Sequence, residues 1–448
     1  MEYIILIVHL VIDFCIGFTV LKILGKTIID GPYLCSAIAL GMFLETISIW
    51  LLSLIGLSIG TSFILISVIA LGSWFYHFLI STSKPTWRLK PSLKSMSVWE
   101  VPILLFIAEK IVWSLYSLAK FPVYFDQTLK DWSGRSKALL STSNWSWEPD
   151  SINFVGHVFS LQDQPLFASI WRATNASFLG RHDPGLERVD GFIFWVIVIA
   201  ITYYWIREFT GKRWTGLLGA AIIAALPLQT WHATGGHTEI YVQAYLLLAL
   251  FALHRNQYIL AGLFSSAMIW SQNEGLIIFL PAFAGIILFK LILAKDYSLQ
   301  LALKKLLVFS IAVIIPISPW ILFKIKNGLS LTPSIYTITG YNEGALSKMC
   351  SAVFNSPSSS IFWIFCTITI IICIKRILKD RTQLFLSTSG IILILTITYF
   401  YTCAGAFQLL DNQLQIHRTL LQITPPFVIL CCISLIQKGK TALTPQDA

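Results

Sequence analysis

The 448-residue chain is 56% hydrophobic and only 12% charged, which is more apolar side-chain surface than one water-soluble core can bury. It has 32 Lys and Arg against 22 Asp and Glu, a net charge of +10, but the basic residues lie between apolar runs rather than on one hydrophilic face. We therefore exclude a soluble domain and a nucleic-acid partner, and we expect an all-α, polytopic protein of the lipid bilayer.

Apolar stretches of membrane-spanning length recur along the chain, since a helix needs about 20 residues to cross roughly 30 Å of hydrocarbon. We predict about thirteen such helices. They lie at 3–23, 33–54, 60–81, 98–119, 190–208, 214–231, 238–254, 257–271, 274–293, 306–323, 358–375, 383–402 and 418–436. No basic region precedes the first stretch, so we expect it to remain as a membrane helix rather than to be cleaved as a signal peptide.

The Lys and Arg residues fall in alternate connections, which predicts an orientation because cytoplasmic loops carry the basic excess. The N-terminus is then outside, and the tail 437–448 is cytoplasmic. A basic cytoplasmic linker at 82–97 separates a three-helix N-terminal part, residues 1–97 with the linker, from a membrane core at 98–436.

The longest connection, 121–189, follows the fourth helix and is predicted to be extracytoplasmic. Its roughly 69 residues far exceed a helix-to-helix turn, and connections of that length are usually functional or disordered. Its many Trp and Phe residues argue for a folded, partly helical segment. Residues 126–140 have helical apolar spacing interrupted by cations, which predicts an amphipathic helix in the membrane interface.

Cofactor signals are missing from the sequence. The eight cysteines are scattered, with no CxxC pair and no metal-ligand spacing, and there is no Gly-rich nucleotide cradle. We expect no cofactor and no metal.

Four short motifs occur in order on the side predicted to be extracytoplasmic. The first is Tyr124-Phe125-Asp126 with Trp132 and Lys137-Ala138; the others are Asp163-Gln164-Pro165-Leu166, Gln272-Asn273-Glu274-Gly275 and His417-Arg418-Thr419-Leu420-Leu421. Together, over about 98–436, they resemble motifs of bacterial GT-C-fold glycosyltransferases, a superfamily that includes dolichyl-phosphate-mannose-protein mannosyltransferases. Gln164 stands where that family commonly has an aromatic residue, and Gln272 where it commonly has a lysine.

The resemblance implies that Asp126 is the general base of an inverting displacement. Transfer of a sugar to a hydroxyl needs a group that accepts the hydroxyl proton, and a carboxylate just outside a helix end meets this need. The alternative is that Asp126 only caps the interfacial helix.

Other outer-side residues are candidate substrate contacts. Asp163 is expected to bind the acceptor or to orient Asp126; Glu148, Asp150 and Asp183 are alternatives for this role, but only Asp163 belongs to a motif. Trp132 and Lys137 are expected to contact substrate from the loop. Arg418, beside His417, suits an anionic prenyl phosphate because arginine grips phosphate at two points, although such an arginine often only anchors a helix at the interface. Interfacial anchoring is the favoured interpretation of two further loop cations, Arg135 and Arg172.

A polar cluster at another outer helix end contains His232, His237 and Glu239. Its spacing matches no closed metal-ligand set, so we interpret His237 and Glu239 as substrate contacts. Glu274 lies between two short apolar stretches, where an acid is costly unless it lines a watery cavity, and we include it in the site.

Acidic residues also occur within predicted spans. Such charges are common in ion pathways of transporters, but Asp13 and Glu45 are explained as well by hydrogen bonds between helices.

The resulting hypothesis is a multi-pass glycosyltransferase of the inner (plasma) membrane with its site facing the periplasm or exterior. It would transfer a hexose or pentose from a polyprenyl-phosphate donor to a glycan, lipid or protein acceptor. The alternative is a transporter or flippase of lipid-linked glycans, which commonly shows two corresponding halves; we find no such symmetry. An acyltransferase or polymerase acting on the same lipids is a third possibility.

Overall fold

The computed structural model of the protein describes residues 2–26, 28–80, 86–87, 96–121, 128–141, 145–156, 162–183, 185–293, 298–333, 336–355, 360–410 and 414–436. Most of the predicted basic linker and the whole of 437–448 lie outside these residues. The division of the chain into 1–97, 98–436 and 437–448 stays a prediction.

The N-terminal part contains three long helices and a trace of sheet. The helices are α1 (Glu2–Ile23), α2 (Gly31–Leu54) and α3 (Ile59–Phe75), and α3 continues as a π-helical turn over Tyr76–Ile80. Two strands of two residues each, β1 (Ile28–Ile29) and β2 (Thr86–Trp87), pair in parallel and form the only named sheet of the described residues.

Next come the fourth helix and the long connection. Helix α4 (Glu100–Lys120) leads into a π-helical segment at Thr128–Gly134, followed by α5 (Arg135–Leu139) and α6 (Phe167–Leu179). The described part of the connection after the fourth helix therefore contains helical segments.

The remaining helices run to the C-terminal end of the described chain. They are α7 (Val189–Thr210), α8 (Arg213–Ala225), α9 (Pro227–Gly235), α10 (Glu239–His254), α11 (Tyr258–Ser271), α12 (Leu280–Ile292), α13 (Leu299–Lys326), α14 (Ala345–Asn355), α15 (Ser360–Lys379), α16 (Arg381–Cys403) and α17 (Leu414–Leu435). A π-helical turn at Gly275–Phe279 precedes α12, and a 3-10 turn at Leu186–Arg188 precedes α7. The all-α fold class is confirmed.

Ten helices of the described chain are long and apolar enough to cross a membrane. Helices α8 and α9 are bent by 66° at Leu226 and would form an eleventh span together, whereas α10 and α11 are shorter apolar helices. The protein is therefore a multi-pass membrane protein, and the count of thirteen spans stays a prediction.

The short helices lie in the centre of the bundle. Every residue of α10 from Glu239 to Leu253 is buried, and α10 packs against α7, α11 and α17. The peripheral α15 instead exposes Ile361 and Ile372, with 80% and 72% of their surfaces accessible. Such large apolar side chains on the outside suit a lipid environment.

The segment predicted as an amphipathic interfacial helix differs from that expectation. Its described residues are helical, but Trp132, Arg135 and Ala138 are buried within the protein, because α5 packs against α6. The segment is a short, inward-facing element of the connection.

Candidate functional site at one end of the helical bundle

Hydrogen bonds of Arg188 hold the two ends of the long connection close together. Arg188, just before α7, donates from Nη1 to the carbonyl of Thr234 at 2.9 Å, and from Nη2 to the carbonyls of Leu118 and Phe121 at 3.2 and 2.5 Å. The end of α4, the start of α7 and the end of α9 are thus tied together. Phe121, the first residue of the connection, therefore lies near the end of α9, which precedes the turn that carries His237.

Arg172 of α6 forms a second tie. Its Nε and Nη2 lie 2.8 and 3.3 Å from the two carboxylate oxygens of Asp190, and Nη2 also donates to the carbonyl of Gly236 and the hydroxyl of Tyr241. Arg172 is fully buried. The expectation that Arg172 anchors the chain at the membrane interface is therefore wrong: its side chain binds α6 to α7 and α10.

The first group of candidate residues surrounds the start of α10. Nη1 of Arg418 lies 3.5 Å from Oε1 of Glu239, and the guanidinium carbon lies 6.0 Å from the ring centre of Trp231. The ring of His237 lies 5.1 Å from that of Trp231. The structure thus brings Arg418 to Glu239 and His237, which lie far earlier in the sequence.

The His237 side chain is buried and uncharged at neutral pH. Burial lowers the pKa of His237 to about 2, and the nearby His232 ring and Arg418 charge act in the same direction. An imidazole of this kind does not exchange protons near neutral pH.

His417 has a different setting from its neighbour Arg418. It is buried and lines a small, largely apolar cavity of about 20 Å³ together with Trp363, Leu420 and Leu421. Its contribution to a substrate site stays a prediction.

The second group joins the long connection to the C-terminal ends of α11 and α13. Nζ of Lys324 donates to Oδ1 of Asn273 at 3.0 Å, and Nδ2 of Asn273 donates to the carbonyl of Asp163 at 3.3 Å. Nη1 of Arg135 donates to the carbonyl of Gln164 at 3.1 Å. Arg135, Lys324 and Asp163 are close enough for their charges to act on one another.

Arg135 is a buried cation with unused donors. Its Nε and Nη2 have no hydrogen-bond partner within the described chain, although the side chain is fully buried. Burial lowers the pKa of Arg135 to about 10, so it still carries its charge at neutral pH. The sequence interpretation as an interfacial anchor is wrong here as well. A buried cation with donors to spare is suited to an anion.

Lys324 is a site residue that was not predicted from the sequence. Lys324 is 1% exposed and lies in the last turn of α13, at the helix end predicted to be extracytoplasmic. A lysine at that end departs from the positive-inside trend, and this departure is the sequence feature that could have identified Lys324 as a candidate site residue.

Glu274 lies between the two groups. It accepts a hydrogen bond from the hydroxyl of Tyr336 at 2.7 Å. It also lies close enough to Glu239 and Asp163 for electrostatic interaction with both carboxyl groups. Tyr336 comes from the connection after α13 and was also not identified from sequence.

Three other predicted residues take no part in these described contacts. Asp126, with the Tyr124-Phe125 part of its motif, lies outside the described residues. Trp132 is packed in the apolar core, at 2% exposure, whereas the side chain of Lys137 is exposed on α5.

Comparisons with known proteins add one finding. No family model matches the chain, and no curated protein matches it. The crystal structure of ArnT from Cupriavidus metallidurans in the apo state is similar, with a TM-score of 0.55 and 14% sequence identity, over 76% of this chain and 60% of ArnT. This chain thus spans about three fifths of the length of ArnT. ArnT is a GT-C glycosyltransferase, and an identity this low relates the two proteins by fold. We conclude that this multi-pass membrane protein has the GT-C fold.

Proposed function

We propose that the protein is a glycosyltransferase that moves a sugar from a polyprenyl-phosphate donor to an acceptor hydroxyl on the extracytoplasmic side of the plasma membrane. The observation that carries the proposal is the meeting of two buried cations, Arg135 and Lys324, with Asp163 at the end of a GT-C fold where Glu239 and Arg418 also lie. Acids and cations at one place are what this transfer requires.

The reaction has two electrostatic demands. The acceptor oxygen forms a bond to the anomeric carbon while the bond from that carbon to the donor phosphate oxygen breaks, so negative charge develops on the prenyl phosphate. The hydroxyl proton passes to a base. Buried donors directed at the developing charge stabilise it more strongly than donors in water.

We assign some residues of the site to the donor phosphate and others to the acceptor and its proton. Arg135 has two buried N–H donors without a partner in the described chain, so we assign it, with Lys324 and Arg418, to the donor phosphate. Asp126 is the proposed base of an inverting transfer, and Asp163 orients the acceptor. Glu239, Glu274, His237, Trp132, Lys137 and His417 complete the proposed substrate contacts.

The test is a transfer assay on membranes that contain the protein, supplied with radiolabelled polyprenyl-phosphate hexoses and pentoses. We expect Asp126→Asn to lower transfer by about 10²-fold or more, because a general base contributes roughly 10²–10⁴-fold. Asp150→Asn is the matched control, since Asp150 is an exposed acid of the same connection, and it should keep wild-type activity. Full activity of Asp126→Asn would remove Asp126 from the mechanism.

The orientation has its own test. Ile152 is 80% exposed in the long connection, so Ile152→Cys on a Cys350→Ser background gives a reactive thiol there. In intact cells we expect labelling by a membrane-impermeant maleimide. Labelling that occurs only after the cytoplasmic side is opened would reverse the proposed topology.

A further inference from the structure

A buried group of metal-ligating side chains lies between α1 and α2, outside the site described above. His9 and Asp13 are one helical turn apart on α1, and Glu45 faces them from α2. One ligand atom from each residue lies within 4.8 Å of the others. The three residues are at most 2% exposed, and the group comprises one imidazole and two carboxyls.

The hydrogen bonds of His9 determine which ring nitrogen carries its proton. Asn175 of α6 uses its Nδ2 to donate to the carbonyl of Trp171, so its Oδ1 is left as an acceptor, 2.9 Å from Nδ1 of His9. Nδ1 is therefore the protonated nitrogen. Nε2 then presents a lone pair, and it lies 2.8 Å from Oε1 of Glu45.

The carboxyl groups also present unused oxygens. Oδ2 of Asp13 accepts a hydrogen bond from Nε1 of Trp171 at 3.3 Å, but Oδ1 of Asp13 and Oε2 of Glu45 are buried without a hydrogen-bond partner among the described residues. The two carboxyls adjoin each other. Neither forms an ion pair with a lysine or arginine in the described chain.

Lone pairs that converge in this way need protons or a cation between them. Two protons, one on Nε2 and one shared between the carboxyls, are needed to satisfy both contacts without a metal, because either proton alone leaves one contact unsatisfied. One divalent cation would satisfy all three lone pairs and cancel both negative charges, which are costly in a buried site.

We propose that His9, Asp13 and Glu45 bind one divalent metal ion that accepts nitrogen and carboxylate-oxygen ligands, with Zn²⁺ as the representative. Such ligands lie at about 2.0–2.2 Å from Zn²⁺, so modest side-chain shifts from the present contacts suffice. A metal-bound histidine usually donates a hydrogen bond from the ring nitrogen that does not bind the metal, and the bond from Nδ1 of His9 to Asn175 matches this pattern.

The ion would link the N-terminal helices to the long connection. Asn175 and Trp171, which orient His9 and Asp13, both belong to α6, and α6 also carries Arg172. The ion would thereby hold α1, α2 and α6 together, and this role is independent of glycosyl transfer.

The decisive measurement uses the full-length protein in detergent, purified with an affinity tag that contains no histidine. After incubation with ZnCl₂ and desalting, we expect elemental analysis to find about one zinc per chain. Zinc should raise the thermal unfolding midpoint followed by tryptophan fluorescence, and EDTA should lower it. Asp13→Asn and Glu45→Gln should lose both the bound zinc and the response to EDTA.

Glu109→Gln is the matched control, because Glu109 is an acid within the predicted span of α4 and is paired with Lys110 rather than with this group. It should retain zinc. A wild-type protein that holds less than about one tenth of a zinc per chain and unfolds at the same temperature with and without EDTA would overturn the proposal, whether or not the variants fold. Equal zinc retention by Asp13→Asn and Glu45→Gln would overturn it too.

Discussion

The guanidinium of Arg172 and the carboxylate of Asp190 form a two-point ion pair, with Nε 2.8 Å from Oδ2 and Nη2 3.3 Å from Oδ1, and both side chains are fully buried. A buried ion pair contributes little net stability, because removing two charges from water costs as much as their attraction returns. Its main effect here is geometric. The pair fixes the position of Gly236, one residue before His237 and three before Glu239.

Removing one partner of this pair should be strongly destabilising. Arg172→Ala leaves Asp190 buried and unpaired, which costs about 3–5 kcal/mol, and we expect a clearly lower unfolding midpoint in detergent by tryptophan fluorescence. Arg172→Leu combined with Asp190→Leu removes both charges and should recover much of the loss. Arg181→Ala is the control: Arg181 is largely exposed, 3.9 Å from Asp183, and should shift the midpoint little. An Arg172→Ala midpoint equal to wild type would contradict this account.

The contact between α1 and α2 depends on glycine. A Cβ atom at Gly41 would lie 1.7 Å from the carbonyl oxygen of Asp13, whereas a Cβ at Gly72 of α3 meets nothing within 4 Å. Gly41→Ala should therefore push the helices apart and destabilise the protein by about 1–3 kcal/mol, as other overpacked cores do. Gly72→Ala should be neutral or slightly stabilising. Thermal midpoints of the two variants test this, and equal midpoints would show that α1 and α2 are not so closely packed.

The proposed phosphate contact of Lys324 can be tested against a neighbour on the same helix. Lys324 is buried against Asn273, while Lys326 is exposed two residues later. If Lys324 binds the donor phosphate, Lys324→Gln should raise the KM for donor by about 10-fold or more, since hydrogen bonds to charged groups contribute about 1.5–3 kcal/mol. Lys326→Gln should leave KM unchanged. Equal KM values for both variants and wild type would exclude Lys324 from donor binding.

Acidification should destabilise the protein partly through His237. Its folded-state pKa is about 2, below the ordinary value of 6.5, so below pH 6.5 the unfolded state binds a proton that the folded state does not. Stability therefore falls with decreasing pH, and this residue contributes about 1 kcal/mol of the loss between pH 7.5 and 5.5. Thermal midpoints at these two pH values should differ less in His237→Gln than in wild type. His77→Gln, at a partly exposed position, should keep the wild-type difference. The same difference in His237→Gln as in wild type would argue against this origin.

Hydropathy predicted the helices well because an apolar run in a bilayer has few alternatives to a helix. The predicted span 33–54 corresponds to α2, and 60–81 to α3 with its π turn. The predicted span 214–231 is instead two helices. Leu226 precedes Pro227 and adopts an extended backbone, with φ −68° and ψ 116°, which proline favours in the residue before it.

The site was less predictable because its contacts join distant segments. The distribution of Lys and Arg predicted that Glu239, Glu274 and Arg418 lie on one side of the membrane, and the structure brings them to one end of the bundle. Lys324 is separated from Asn273 by 51 residues, and a lysine at a helix end ordinarily indicates only an anchor. Asp13 and Glu45 were expected to form hydrogen bonds between helices, but the part played by α6, through Asn175, follows from folding alone.

The lengths of the two central helices have a consequence for access to the site. Helix α10 has 16 residues and α11 has 14, so they are about 24 and 21 Å long and shorter than the roughly 30 Å of hydrocarbon around them. The two helices are joined at Arg255, and a helix of either length that starts at one surface of such a hydrocarbon layer ends several ångströms short of the other. Glu239 begins α10 and Glu274 follows α11 at those ends, so under the proposed function the isoprenoid-tailed donor would reach them from within the membrane and the acceptor hydroxyl from the water.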